Sequence, residues 1–159
     1  MKIKVALLSL FAFTVVFMSS CGKDKSGYWD QDEQNLTDRK LIEEYAEAHN
    51  LNGTFTSSGL YYLVLVEGGM ARPTPTSLIT VNYKGYYLDG ELLDEGTLND
   101  NPLQNLILGW QEGIQYIGKG GKIKLIIPSA LAYGHNPPSG VRQDAVLVFD
   151  IELIDFTDE

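Results

Sequence analysis

The stretch Leu106–Lys122, LILGWQEGIQYIGKGGK, decides how the rest of the chain is read. Its spacing predicts a short helix from Ile107 to about Ile117, closed by Gly118, Gly120 and Gly121, because glycine is the residue that most readily ends a helix. Trp110, one of only two tryptophans, follows Gly109 at the helix entrance. An indole placed there can lie flat against whatever the helix packs on. It is either core filler or the floor of a pocket.

The neighbouring segments read as strands. GKIKLIIP (Gly121–Pro128) follows directly, and AVLVFDIELIDF (Ala145–Phe156) alternates Leu147, Phe149, Ile151 and Leu153 onto one face. Upstream, LITVNYKGYYLDGELLDEG (Leu78–Gly96) is two strands around Asp89–Gly90, a strong hairpin signal. SGLYYLVLVEGG (Ser58–Gly69) is a further Tyr/Val/Leu-rich strand ended by two glycines. Residues 71–77, 97–105 and 129–144 read as loops. The expected fold class is α+β: a twisted antiparallel sheet, a half-barrel, wrapped around one short helix. One face of such a sheet must be covered, and the helix carrying Trp110 is the element placed to cover it. Its indole then falls at one end of the sheet–helix interface, where the floor of a cleft is plausible.

An additional helix is expected at residues 36–50, LTDRKLIEEYAEAHN, with Thr37 as N-cap, Asp38 in the first turn, and Leu41, Tyr45 and Ala48 at helical spacing. An isolated helix this short is marginal in water, so it must pack on the domain or on a second copy. Residues 22–35 are polar and aperiodic and read as a tether. Tyr28 and Trp29 interrupt it, and either dock onto the domain or meet lipid headgroups.

Composition removes several functions. A chain with 44% hydrophobic residues is of globular type, and its formal net charge of −9, without a basic cluster, argues against nucleic-acid binding. One cysteine precludes an internal disulfide, and two histidines, His49 and His135, make a His/Cys metal site a poor reading. No nucleophile stands in a motif with a base.

The first twenty residues read as a targeting segment. Lys2 and Lys4 precede an uncharged apolar run from Val5 to Met18, shorter than the ~20 residues that span a bilayer. MSSC then places small residues directly before Cys21. This resembles a lipobox, whose cysteine carries the lipid of a bacterial lipoprotein, and the reading is preferred over an ordinary signal peptide with a stray thiol nearby. By the same resemblance, Gly22 rather than Asp after the cysteine favours the outer membrane. Processing removes two lysines and no acid, so the mature chain is more acidic still and is disfavoured from lying flat on an anionic lipid surface. The expected organisation is a signal peptide over 1–20, a lipid-anchored tether and helix over 21–54, and a folded domain over 55–159.

The segments VNYKGYYLDG, LLDEG, LILGWQEGI, GGKIKLIIPSALAYG and AVLVFDIELIDF, in this order and spacing between residues 72 and 156, resemble the FKBP-type peptidyl-prolyl cis-trans isomerases. The resemblance implies an apolar pocket between sheet and helix. It implies Trp110 as floor, Tyr83, Phe149 and Val141 as walls with Leu106 beside the helix entrance, Tyr133 offering its hydroxyl to a substrate carbonyl, the Ile107 N–H as second donor, and Asp94 at the rim after Leu93. Tyr83, Asp94, Trp110, Tyr133 and Phe149 are thus the candidate catalytic set, and Leu93, Leu106, Ile107 and Val141 the candidate substrate contacts. Each has a structural alternative: Phe149 as core, Tyr83 as an ordinary strand aromatic, Asp94 as a loop acid.

Three departures from the family pattern stand out. Leu93 replaces a usual Phe, Asn99 and Asn101 stand where aromatics are common, and Val141, Arg142 and Gln143 replace an apolar-Pro-Pro run. They support the alternative, a non-catalytic binding or chaperone module on a lipid anchor. The resemblance implies catalysis of X–Pro rotation in exported proteins, proline-containing polypeptides as partners, macrolide inhibitors and no cofactor. None of the matched segments lies before residue 72, so the helix at 36–50 is expected to be dispensable for chemistry on a short peptide.

Overall fold

The computed structural model describes residues 29–158. The targeting segment, Cys21 and the tether as far as Tyr28 lie outside the described residues. In chain order the elements are α1 (Gln31–Ala48), β1 (Thr54–Phe55), β2 (Tyr61–Val66), β3 (Leu78–Tyr87), β4 (Leu92–Pro102), α2 (Leu108–Gly113), β5 (Lys122–Ile127) and β6 (Leu147–Thr157), with single 3-10 turns at 103–105, 114–116 and 129–131. The strands form one antiparallel sheet in the order β1-β2-β5-β6-β3-β4. The fold class is the expected one: an open antiparallel sheet around a short helix, with an added N-terminal helix.

The concave face carries the main core. Ile123, Leu125 and Ile127 of β5 and Leu147, Phe149, Ile151 and Leu153 of β6 point to it, and Trp110, Ile114 and Ile117 meet them from α2 and the turn after it. Close approach of the helix explains Gly109 and Gly113, one turn apart on α2. A Cβ at Gly109 would lie 2.5 Å from Ile127 Cγ2, and one at Gly113 2.6 Å from Leu125 Cδ2. Those two glycines put the α2 backbone against β5, and Trp110 is seated by that contact.

The convex face is divided. Under α1 it is apolar: Ile42 and Ala46 pack on Tyr61, Ile126, Val146 and Val148, a second core. Beyond α1 the same face is ionic, with Lys122 paired to Glu152 at 3.3 Å, Lys124 to Asp150 at 2.5 Å and Lys84 to Glu95 at 3.1 Å. The sheet is therefore covered on both faces over part of its area: α2 takes one face, and of the two partners open to the N-terminal helix in the sequence reading, the domain or a second copy, it packs on the domain. Burial of Ile42 and its partners also explains how a helix of marginal intrinsic stability persists.

The start of α1 and the end of β4 differ most from the sequence reading, α1 also ends at Ala48 and α2 at Gly113, and the short β1 is an unexpected strand. α1 begins at Gln31, five residues before Leu36, because Asp30 is the N-cap: its side chain accepts the Asp32 N–H at 2.9 Å. Thr37 lies inside the helix and donates to the Glu33 carbonyl at 2.9 Å. Residues 97–102, read as loop, extend β4. Asp100 adopts φ 49°, and a register shift between Ile79 and Val81 accommodates the extra residue, so the ladder resumes at Asn101 and Pro102.

Candidate active site

β3, β4, β6, the entrance of α2 and the long 129–144 segment converge on a cavity of about 450 Å³ between sheet and helix. Tyr83, Leu93, Asp94, Leu106, Ile107, Trp110, Tyr133, Val141 and Phe149 all line it, and Leu98, Ser139 and Gly140 complete it. Every position singled out in the sequence for the site is thus brought to one place.

The floor is aromatic. Trp110 and Phe149 are each 4% exposed, and their rings meet edge to face with centroids 5.2 Å apart at 87°. Tyr83 meets the same indole at 5.2 Å and 74°. Three mutually supporting rings fix the indole in place, since edge-to-face pairs add to the stabilisation from burial itself. The Trp110 Nε1–H is buried and has no partner among the described residues. Ile107 is the N-cap of α2; its carbonyl accepts from Trp110 N–H at 2.9 Å and Gln111 N–H at 3.1 Å. The Ile107 N–H lies ahead of the helical ladder, which does not use it, and Ile107 is among the residues lining the cavity.

The rim carries the polar groups. Tyr83 donates its hydroxyl to Asp94 Oδ2 at 2.6 Å. That bond is the largest reason the Tyr83 phenol is pushed up to about 12, with burial and the Asp94 charge adding to it. Tyr133, across the cavity, is 39% exposed; burial, then the Asp94 charge and Tyr87, raise its phenol above the ordinary value. Both hydroxyls therefore keep their protons at neutral pH. Tyr83 spends its own on Asp94, while Tyr133 remains the hydroxyl placed to serve a ligand.

The three departures resolve differently. Leu93 lines the cavity. Asn99 and Asn101 do not; Asn101 Nδ2 donates to the Asn99 carbonyl at 3.1 Å, and Leu98 supplies the apolar group on that side. Arg142 forms a clamp. Its guanidinium reaches Asp89 Oδ2 at 2.7 Å and Glu91 Oε2 at 2.5 Å and lies 4.0 Å over the Tyr87 ring, while the Arg142 backbone N–H donates to the Tyr87 hydroxyl at 3.2 Å. The Arg142 hydrogen bond also holds the Asp89 carboxyl below its ordinary value. The β3–β4 turn thereby fastens the residue next to Val141, so this wall is held by charge and by stacking where an apolar-Pro-Pro run is more usual. Leu98, Ser139 and Gly140 were not among the candidates: Leu98 stands in a stretch whose Asn and Asp content reads as loop, and a Ser-Gly pair carries no signal of its own.

Among the described residues, no group of His, Cys, Asp and Glu gathers as a metal site. His135 lies within the 129–144 segment but does not line the cavity, and its Nδ1 is 2.8 Å from Asp144 Oδ2.

Comparison with known proteins agrees with this geometry. Residues 69–154 match the model of the FKBP-type peptidyl-prolyl cis-trans isomerase family. The FKBP-type peptidyl-prolyl cis-trans isomerase FkpA of Buchnera aphidicola subsp. Schizaphis graminum is 42% identical over 131 residues, covering 78% of this chain and 51% of the relative. FkpA of Escherichia coli K12 is 42% identical over 104 residues, covering 63% of this chain and 38% of the relative. The chain thus spans about half, or less, of the length of these relatives. The crystal structure of Escherichia coli FkpA superposes with a TM-score of 0.69 at 35% identity, covering 80% of this chain and 62% of that one. A peptidyl-prolyl cis-trans isomerase from Pseudomonas syringae pv. tomato superposes with a TM-score of 0.69 at 25% identity, covering 82% and 98%.

Proposed function

The chain belongs to the FKBP-type peptidyl-prolyl cis-trans isomerase family, and from that premise we propose that it catalyses rotation about X–Pro bonds in proteins folding outside the inner membrane. The observation that carries the reading is the aromatic-floored cavity, lined by apolar walls together with Tyr133, 39% exposed, and Ile107 at the helix entrance.

The chemistry asks for little more. Rotation about X–Pro faces a barrier of roughly 18–20 kcal/mol and takes tens to hundreds of seconds unaided. No bond breaks, so neither nucleophile nor general base is needed. Twisting the amide removes its resonance and lowers its polarity, so an apolar pocket favours the twisted state over the planar one, relative to water. In this reading the prolyl ring sits on the Trp110 indole between Tyr83, Phe149 and Val141, with Leu93 and Leu106 beside it. The Tyr133 hydroxyl and the Ile107 N–H hold the flanking carbonyls while the bond turns. Asp94 acts through Tyr83, which it orients by the 2.6 Å bond. Macrolides of the rapamycin type would compete for the same floor.

The test is a proline-isomerisation assay on residues 22–159 with several residues placed before proline. Wild type is expected to turn over and to be inhibited by rapamycin. Tyr133→Phe removes one hydroxyl and little volume, and is expected to lower kcat/KM by about a few-fold to tenfold, the worth of one hydrogen bond to a neutral carbonyl. A chain that binds the peptide but shows no turnover with any of them would overturn the catalytic reading.

We propose further that the protein works from a lipid anchor at Cys21, on the outer membrane of a bacterial envelope. This rests on the sequence around MSSC. Among the described residues, no helix is long and apolar enough to cross a membrane. Cys21→Ser is expected to release the protein from the membrane fraction or to block its processing. A variant that fractionates and matures like wild type would refute the anchor.

A further inference from the structure

Ser129 opens the segment that leads to Tyr133, and the segment folds around it. The Ser129 carbonyl accepts the N–H of Ala132 at 3.0 Å and of Gly134 at 2.9 Å, the neighbours of Tyr133 on either side. Ser129 is itself held by a single atom. Asp38 Oδ2 accepts both its N–H, at 2.8 Å, and its hydroxyl, at 2.6 Å. Asp38 lies on α1, 91 residues earlier in the chain. It is fully buried, Ser129 is 1% exposed, and its other oxygen accepts from Gln34 Nε2 at 2.7 Å.

A buried carboxylate is costly unless every lone pair is satisfied. A helix needed only to cover Ile126 and Val148 would be served as well by an apolar residue at this position. What the carboxylate adds is direction: it sets where the Ser129 backbone lies, and through two carbonyl bonds where the Tyr133 backbone lies. A second grip runs parallel to it. The Trp29 ring, just ahead of α1, packs on His135 at 4.7 Å, and His135 is tied to Asp144, whose N–H donates to the Gly134 carbonyl at 3.0 Å.

We propose that Asp38 is a positioning residue for the isomerase site. From α1 it holds Ser129, and so places the Tyr133 hydroxyl over the Trp110 floor. The proposal rests on the isomerase reading of the cavity, and it runs against the sequence expectation that this helix is dispensable for chemistry on a short peptide.

The experiment compares Asp38→Ala, Ser129→Ala, Tyr133→Phe and the Asp38→Ala/Tyr133→Phe double variant in the full chain, by peptide turnover and by amide hydrogen exchange. Asp38→Ala is expected to speed exchange at the Ala132 and Gly134 N–H groups by at least about tenfold, while amides of β5 and β6 keep their protection. It is expected to lower kcat/KM by about threefold to tenfold when Tyr133 is present and by under about twofold in the Tyr133→Phe background. Ser129→Ala, which keeps the backbone bond to Asp38, should show the same pattern at smaller size, and it carries the test if Asp38→Ala does not fold. Unchanged exchange at Ala132 and Gly134 would overturn the proposal. So would an equal loss of turnover with and without the Tyr133 hydroxyl, the mark of a purely structural role. Absence of turnover in wild type would sink the isomerase reading instead, and the exchange measurement would then decide the positioning alone.

Discussion

Trp110→Leu is expected to lose at least about tenfold in both peptide turnover and affinity for a rapamycin-type ligand, while the domain remains folded. Replacing a buried Trp by Ala costs about 3–5 kcal/mol, and Leu restores part of that volume, so the variant should retain its structure below room temperature. What Leu cannot restore is a flat surface. The indole is 4% exposed, meets Tyr83 and Phe149 in T-shaped contacts 5.2 Å away, and lines the cavity. The control is Leu153→Ala. Leu153 is fully buried in the same core but does not line the cavity, and its truncation should cost about 2–5 kcal/mol of stability and leave ligand affinity alone. In a Trp29→Phe background Trp110 is the one remaining tryptophan, and saturating peptide should change its fluorescence. If the two core variants behave alike, and the indole signal ignores the peptide, Trp110 is filler and the isomerase reading falls with it.

The second large effect is expected from adding one methyl group. Gly85 and Phe149 are direct partners across β3 and β6. A Cβ at Gly85 would stand 2.3 Å from Phe149 Cε1 and 2.8 Å from its Cδ1, far inside contact distance. The phenyl ring has little room to retreat, because the Trp110 indole packs against it at 5.2 Å between ring centres. Gly85→Ala should therefore cost about 1–3 kcal/mol, as overpacked cores do, and push the ring towards the floor of the cavity. Ligand affinity is expected to fall with stability, by about tenfold or more, in contrast to Leu153→Ala. Thermal unfolding and ligand titration on the same samples check it. A variant as stable and as tightly binding as wild type would show that Phe149 is free to move.

β2, β3, β5, β6 and α2 were legible because their residues obey simple periods, whereas the two-residue β1 is too short to carry one. Alternation along β6, the Asp89–Gly90 turn and the Gly109–Trp110 pair each carry their reading locally. Three things were not legible, for separate physical reasons. The continuation of β4 through residues 97–102 depends on the bulge at Asp100, and strand pairing there overrides a composition that favours turns. Asp38 reads as a first-turn acid because Thr37 looks like a cap. With the true cap at Asp30, Asp38 lies two turns in and faces the sheet, and nothing local announces a partner as distant as Ser129. Arg142 reads as damage to a wall. Its acidic partners Asp89 and Glu91 flank a hairpin turn more than fifty residues earlier, and only the fold brings them together.

β6 comprises residues 147–157, yet in space it is central, laid between β5 and β3. A chain made or threaded in order would carry the β3–β4 hairpin and the β2–β5 pair as two unjoined pieces, each with a raw edge, until these residues arrive to insert between them. Pairing across such long loops is entropically late and tends to be slow. Assembly should thus be close to all-or-none, and the Trp110 floor has no opposite wall before it, since Phe149 is part of that same strand. A polypeptide built this way stays open for most of its synthesis, and it has no working half.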